Sequence, residues 1–149
     1  MKQILRYSTP SIEWQSSWYT DMGKGTLFGV KDNSCESYKL TVKKINLAEI
    51  EFTKVRFDYP GSTRNKPAIV NVNGRYAYLI GGQNLLSCMR FDIVTNKWEN
   101  IPDHKAPARH YQTCCYLAGK IYMFNGHNNS AVLNEIQALP FKEEIKEQN

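Results

Sequence analysis

Apolar and polar positions alternate in short runs along most of this chain, and clusters of Gly, Asn, Asp and Ser punctuate them, which is the period-two pattern of β-strands joined by turns. The pattern predicts strands over 25–30, 38–46 and 51–57, then 67–73, 76–81, 87–93 and 97–101, then 110–117, 120–125 and 132–138. Asn73-Gly74 and Ala118-Gly119-Lys120 are turn signals between neighbouring runs. The stretch up to about Asp21, with Trp14, Trp18 and Tyr19 near Pro10, reads as another strand or the remnant of a preceding unit. Phe141 to Asn149 is polar and charged, and reads as a frayed tail or short exposed helix.

The runs repeat. Ala77-Tyr78-Leu79-Ile80-Gly81-Gly82 is echoed by Ile121-Tyr122-Met123-Phe124-Asn125-Gly126, with Tyr78 to Tyr122 and Gly82 to Gly126 both 44 positions apart (122 − 78 and 126 − 82). After Gly82 come an apolar strand, a turn cluster from Asp92 to Asn96, and Trp98. Lys44 to Phe52 has the same shape, with Asn46 standing where Asp92 stands, Phe52 where Trp98 stands, and Val55 where Ile101 stands. A period near 45 residues marks stacked β-sheet units, each burying its faces against its neighbours.

These residues resemble the kelch-repeat family, whose pattern is a strand ending in Gly-Gly, a second strand closing on Asp, a polar turn, a Trp, and a Pro-containing loop leading to an Arg. The middle copy supplies Tyr78, Gly81, Gly82, Phe91, Asp92, Asn96, Trp98 and Pro102, and the next opens with Pro107-Ala108-Arg109-His110. The match covers residues 66 to 139 well and 20 to 60 weakly; the third copy has Asn125 for the first Gly, and the earliest has only Gly29. The resemblance implies an all-β fold, a partial kelch-type β-propeller of about three four-stranded antiparallel blades with the last incomplete. The expected segments are an N-terminal strand or remnant over 1–20, a degenerate blade over 21–60, a full repeat over 61–105, a partial repeat over 106–140 and a charged tail over 141–149. Tyr78, Gly81, Gly82, Asp92, Trp98, Tyr122 and Gly126 are then structural residues of the repeat, with the Gly pair expected to leave room for Trp98.

Propellers typically have four to eight blades, and about three leaves an open arc with apolar faces at both ends. A piece of a longer propeller, self-association that completes the ring, and a first unit turned into a cap each answer that problem, the first being the favoured expectation.

Composition narrows function mostly by exclusion. The 149 residues are 42% hydrophobic and 12% aromatic, enough for a real core, and no apolar run suits a membrane span or a secretion signal, so the expected location is cytoplasmic. Net charge is +5, with Lys and Arg from Lys24 to Lys66 read as solvated strand faces; no recognition helix, Gly-rich loop or aromatic-basic module points to nucleic acid. Cys35, Cys88, Cys114 and Cys115 lack Cys-x-x-Cys spacing and read as reduced thiols, with no metal or cofactor expected. No nucleophile elbow, phosphate loop or His-Glu metal motif occurs, and Asp92 and Asp103 fall at turn positions, so no catalytic residue is assigned. The expected function is a non-catalytic protein-protein interaction module, of scaffold or substrate-recruiting type, whose loops Gln83–Ser87, His104–Arg109 and His127–Ala131 meet another protein. Gln83, Asn84, His104, Arg109, His127 and Asn128 are the candidate partner-binding residues. The alternatives are a fragment of an enzyme-associated propeller with a sugar or small-molecule site, and a self-assembling structural array.

Overall fold

The computed structural model describes residues 17–45, 50–85, 87–105, 108–128, 130–133 and 136–140. Most of the expected N-terminal segment and the whole of the expected charged tail lie outside these residues. Among the described residues eleven strands form three antiparallel sheets. Sheet A joins β1 (Ser17–Gly23), β2 (Thr26–Lys31), β3 (Ser37–Ile45) and β4 (Ile50–Arg56) in chain order. Sheet B joins β5 (Ala68–Val72), β6 (Tyr76–Ile80), β7 (Ser87–Asp92) and β8 (Lys97–Lys105) in the same way. Sheet C has β9 (Thr113–Leu117), β10 (Lys120–Phe124) and β11 (Ile136–Pro140). β1 crosses the expected boundary at residue 20 and pairs with β2 as the first strand of sheet A. β8 runs on to Lys105, past the expected end at residue 101.

The first strands of the sheets lie side by side, β1 against β5 and β5 against β9, while the later strands of each meander step outward. This is the radial layout of a β-propeller, present as a three-sheet arc that does not close. Period two explains how the middle sheet serves two neighbours. On β6, Ala77 and Leu79 face sheet A, where they pack with Met22, Phe28 and Val30; Tyr78 and Ile80 face sheet C, where they meet Ile121 and Met123. Burial on both faces is why Tyr76–Ile80 reads as a continuous apolar run. The outer face of sheet C has no such neighbour among the described residues: Leu117 and Ile136 are each 64% exposed.

Trp98 ties sheet B to sheet A. Its ring lies 5.7 Å from Phe28, 5.4 Å from Phe91 and 5.4 Å from Tyr59, and its Nε1 donates to Ser37 Oγ and to the Phe57 carbonyl, both at 3.2 Å. The expectation that Gly81 and Gly82 make room for this ring is corrected. The side chain of Trp98 faces sheet A, whereas the Gly pair ends β6 and abuts Arg64, Asn65, Arg109 and Gln112.

The turn from β7 to β8 is set by Asp92. Its Oδ1 accepts the Val94 N–H at 2.9 Å in an Asx-turn, and its Oδ2 takes the Arg75 guanidinium at 2.8 Å. Burial pushes the Asp92 carboxyl up, but the Arg75 guanidinium and the backbone N–H groups of Val94 and Thr95 outweigh it and hold the carboxyl below its usual 3.8. A carboxyl lowered on folding contributes stability that is full above the unfolded value and lost as pH falls through the folded one. Asp92→Asn is therefore expected to lower the melting temperature at neutral pH, with the gap from wild type closing below about pH 4; thermal melts across pH check it.

Candidate functional site

In an up-and-down meander the connections β2–β3, β4–β5, β6–β7, β8–β9 and β10–β11 emerge at one end, and here they are the long ones. The opposite end carries tight turns such as Lys24-Gly25 and Ala118-Gly119, each with two left-handed residues. Backbone hydrogen bonds link the long connections in series. Asn33 N–H donates to the Arg64 carbonyl at 2.9 Å, Gln83 N–H to that of Asn65 at 2.9 Å, and Gly82 N–H to that of Arg109 at 3.0 Å. His110 and His127 then exchange a pair of bonds at 2.9 and 2.8 Å. The three loops expected to meet a partner thus share one face and are cross-linked to one another.

Two buried arginines hold that face from below. Arg64, 3% exposed, donates to the Gly81 carbonyl at 2.6 Å, the Ser87 carbonyl at 2.8 Å and Ser87 Oγ at 2.8 Å. Arg109, 1% exposed, donates to the Asn125 carbonyl at 3.0 Å. The two stand 45 positions apart (109 − 64), and each clamps the end of the second strand in its own sheet. Arg64, expected on a solvated strand face, is instead buried, and the candidate Arg109 is buried with its guanidinium on the Asn125 carbonyl. The repeat offset of 44 counted back from Arg109 falls on Asn65, one position past Arg64.

The other candidates are placed as follows. Gln83 and Asn84 are exposed at the β6–β7 turn, with Gln83 Oε1 accepting from Asn65 Nδ2 at 3.1 Å. Asn128 shapes its own loop, its Oδ1 taking the N–H groups of Ser130 at 2.9 Å and Ala131 at 2.7 Å. His104 lies inside β8. Ala106 and Pro107 of the second loop and Asn129 of the third lie outside the described residues.

The surface of this end joins the candidate His127 to Lys66, His110 and Tyr111, which were not among the candidate binding residues. Lys66 Nζ sits 4.1 Å above the Tyr111 ring, and Tyr111 is 55% exposed. The His110 ring is 5.3 Å from that of Tyr111 and 5.8 Å from that of His127, and Tyr111 and His127 are 6.5 Å apart. Lys66 and Tyr111 are again 45 positions apart (111 − 66), and both adopt left-handed backbone, at φ 53° and 57°. Bulky residues rarely do so, and the strain is held by Lys66 N–H donating to Asp32 Oδ1 at 2.7 Å and Tyr111 N–H donating to the Lys66 carbonyl at 3.2 Å. Burial, His127 and Lys66 together hold the His110 imidazole below its usual value.

A cleft runs along the first strands. Its volume is about 390 Å³, and it is lined by Trp18, Tyr19 and Asp21 of β1, Val70 of β5, and Gln112 and Cys114 beside and on β9. Gln112 Nε2 donates to the Ile80 carbonyl at 2.9 Å, while its buried Oε1 has no hydrogen-bond partner. Burial pushes the Cys114 thiol up to about 12, so it is protonated and a poor nucleophile. None of the four cysteines, all among the described residues, is in a disulfide. Among the described residues no three His, Cys, Asp or Glu side chains converge to hold a metal ion, and no helix is long and apolar enough to cross a membrane.

No protein-family model matches this chain, and no curated protein does. Solved structures do: 110 chains match, among them the one titled "Structure of YjhT", with a TM-score of 0.65 at 17% identity. That match covers 78% of this chain and 35% of the other, so this chain spans about a third of the length of the solved protein. The likeness establishes the β-propeller-type fold.

Proposed function

We propose that the chain is a kelch-type interaction module that binds another protein through the end carrying the long connections. The observation that carries this reading is the serial cross-linking of those connections, which holds exposed Gln83, Tyr111 and His127 on one preorganised surface. Preorganised surfaces bind without first losing loop entropy. The kelch assignment rests on the repeated Arg64 and Arg109 clamps, the Gly81-Gly82 strand end and the inter-sheet Trp98. Selection of a random peptide-display library on the immobilised chain tests the function. Enriched peptides should lose binding to Tyr111→Ala and His127→Ala while keeping it to a Leu117→Ser variant of the outer face of sheet C. Peptides that ignore the first two substitutions would place the binding surface elsewhere.

The cleft beside β1, β5 and β9 favours a second reading, a small-molecule site, since its volume lies in the range of such pockets and the buried Gln112 Oε1 lacks a donor. Saturation-transfer NMR against a small-molecule fragment set, with Gln112→Leu as the control, tests it.

A further inference from the structure

We infer that the Lys66, His110, Tyr111 and His127 cluster is a carboxylate-binding site that takes an acidic peptide segment and takes up protons as it does so. This deepens the interaction reading and rests on it. The cluster gathers one ammonium, two imidazoles and a phenol from three connections: Lys66 lies 4.1 Å over the Tyr111 ring, and the three rings lie within 6.5 Å of one another. In the same connection as Lys66, Arg64 adds a buried cation whose side-chain hydrogen bonds all go to neutral oxygens, with its Nε unpartnered and no carboxylate paired to it among the described residues. A buried guanidinium stays protonated, so this end of the molecule carries positive charge that an acidic ligand would balance.

The chemistry selects a carboxylate over a dianionic phosphate. Phosphate sites favour the planar fork of arginine or the N-terminus of a helix. Here Arg64 and Arg109 turn their guanidiniums inward to the Gly81 and Asn125 carbonyls, leaving single-point donors at the surface. One ammonium with neutral or singly protonated imidazoles suits groups of single charge, and the exposed Tyr111 ring adds an apolar platform for the methylenes of Glu.

The charged and titratable groups that act on His110 are Lys66 from β4–β5 and His127 from β10–β11, while the Asp32 carboxyl of β2–β3 is tied to the Lys66 N–H. In the free protein His127 and Lys66 disfavour protonation of His110. A bound carboxylate within about 4–6 Å reverses that balance and raises the His110 imidazole value, so binding and proton uptake are linked reciprocally.

The test uses a glutamate-rich octapeptide and its glutamine counterpart, titrated into the whole chain by calorimetry. The glutamate peptide should bind on the order of tenfold tighter at about pH 5.5 than at about pH 8. It should weaken several-fold for Lys66→Gln, at a half-buried side chain, and for His127→Asn, at an exposed one, with thermal melts of both variants separating lost binding from lost folding. NMR should show the His110 resonances titrating at higher pH when it is bound. Equal binding of both peptides, pH-independent binding, no binding at all, or a serine phosphopeptide binding tenfold tighter than the glutamate peptide would each overturn the inference. The interaction reading itself fails separately: if display selection returns neutral peptides that depend on Tyr111, that reading stands and the carboxylate assignment falls.

Discussion

Replacing Trp98 with alanine is expected to destabilise the chain by about 3–5 kcal/mol, read as a fall in the denaturant midpoint. Three rings lose a partner at once, Phe28 and Tyr59 on the sheet A side and Phe91 on its own sheet, each now within 6 Å of the indole centroid. The Ser37 hydroxyl and the Phe57 carbonyl also lose their indole donor. Because Phe57 sits where sheet A hands over to the connection leading to Arg64, the damage extends beyond a cavity to the docking of two sheets. Trp98→Phe separates the two contributions: a ring is kept and the Nε1 donor lost, so the cost should fall to about 1–2 kcal/mol. If both variants cost the same, the hydrogen bonds dominate, and if neither exceeds about 1 kcal/mol, the two sheets do not depend on Trp98 for their docking.

The sequence carried the strands and their grouping well because one face of nearly every strand is buried, and burial writes itself as period two. Expected strands at 67–73, 76–81, 87–93 and 120–125 sit over β5, β6, β7 and β10 to within a residue or two at each end. The first strand of sheet A was blurred because β1 begins after a Trp- and Ser-rich stretch without alternation. Contacts between repeats were not legible. The Gly pair was assigned to Trp98 because the two recur together in one repeat, yet the side chains that crowd Gly81 and Gly82 belong to connections leading into two different sheets. Likewise Arg64 and Lys66 counted as ordinary basic residues; only the positions of Arg109 and Tyr111 in the next repeat give away that one is a clamp and the other half of a surface pair. Exposed candidates such as Gln83 and His127 were found because loop polarity is visible in composition, whereas the inward turn of Arg109 is a fact of packing alone.

The Gly pair leads to the other large effect, and a second glycine provides its control. Gly81 and Gly119 both adopt left-handed backbone, at φ 64° and 75°, so valine at either position meets the same conformational penalty, about 1–2 kcal/mol for a residue with a Cβ. Their surroundings differ. A Cβ at Gly119 would have nothing within 4 Å, whereas at Gly81 it would stand 2.7 Å from Gln112 Nε2 and 2.9 Å from the Arg109 carbonyl. Both groups hold sheet C to sheet B, through the bond from Gln112 to the Ile80 carbonyl and the bond from Gly82 N–H to the Arg109 carbonyl. Gly81→Val should therefore cost about 2 kcal/mol or more beyond Gly119→Val, the added amount reflecting overpacking against backbone that cannot yield. Hydrogen exchange should show where the damage goes: the Gly82 amide loses protection, and with it the His110 and His127 amides further along the same series of connections. Peptide binding at that end should weaken in Gly81→Val and survive in Gly119→Val. Equal costs for the two substitutions would mean that the connections are not rigidly coupled, and the preorganisation on which the interaction surface depends would be lost with that result.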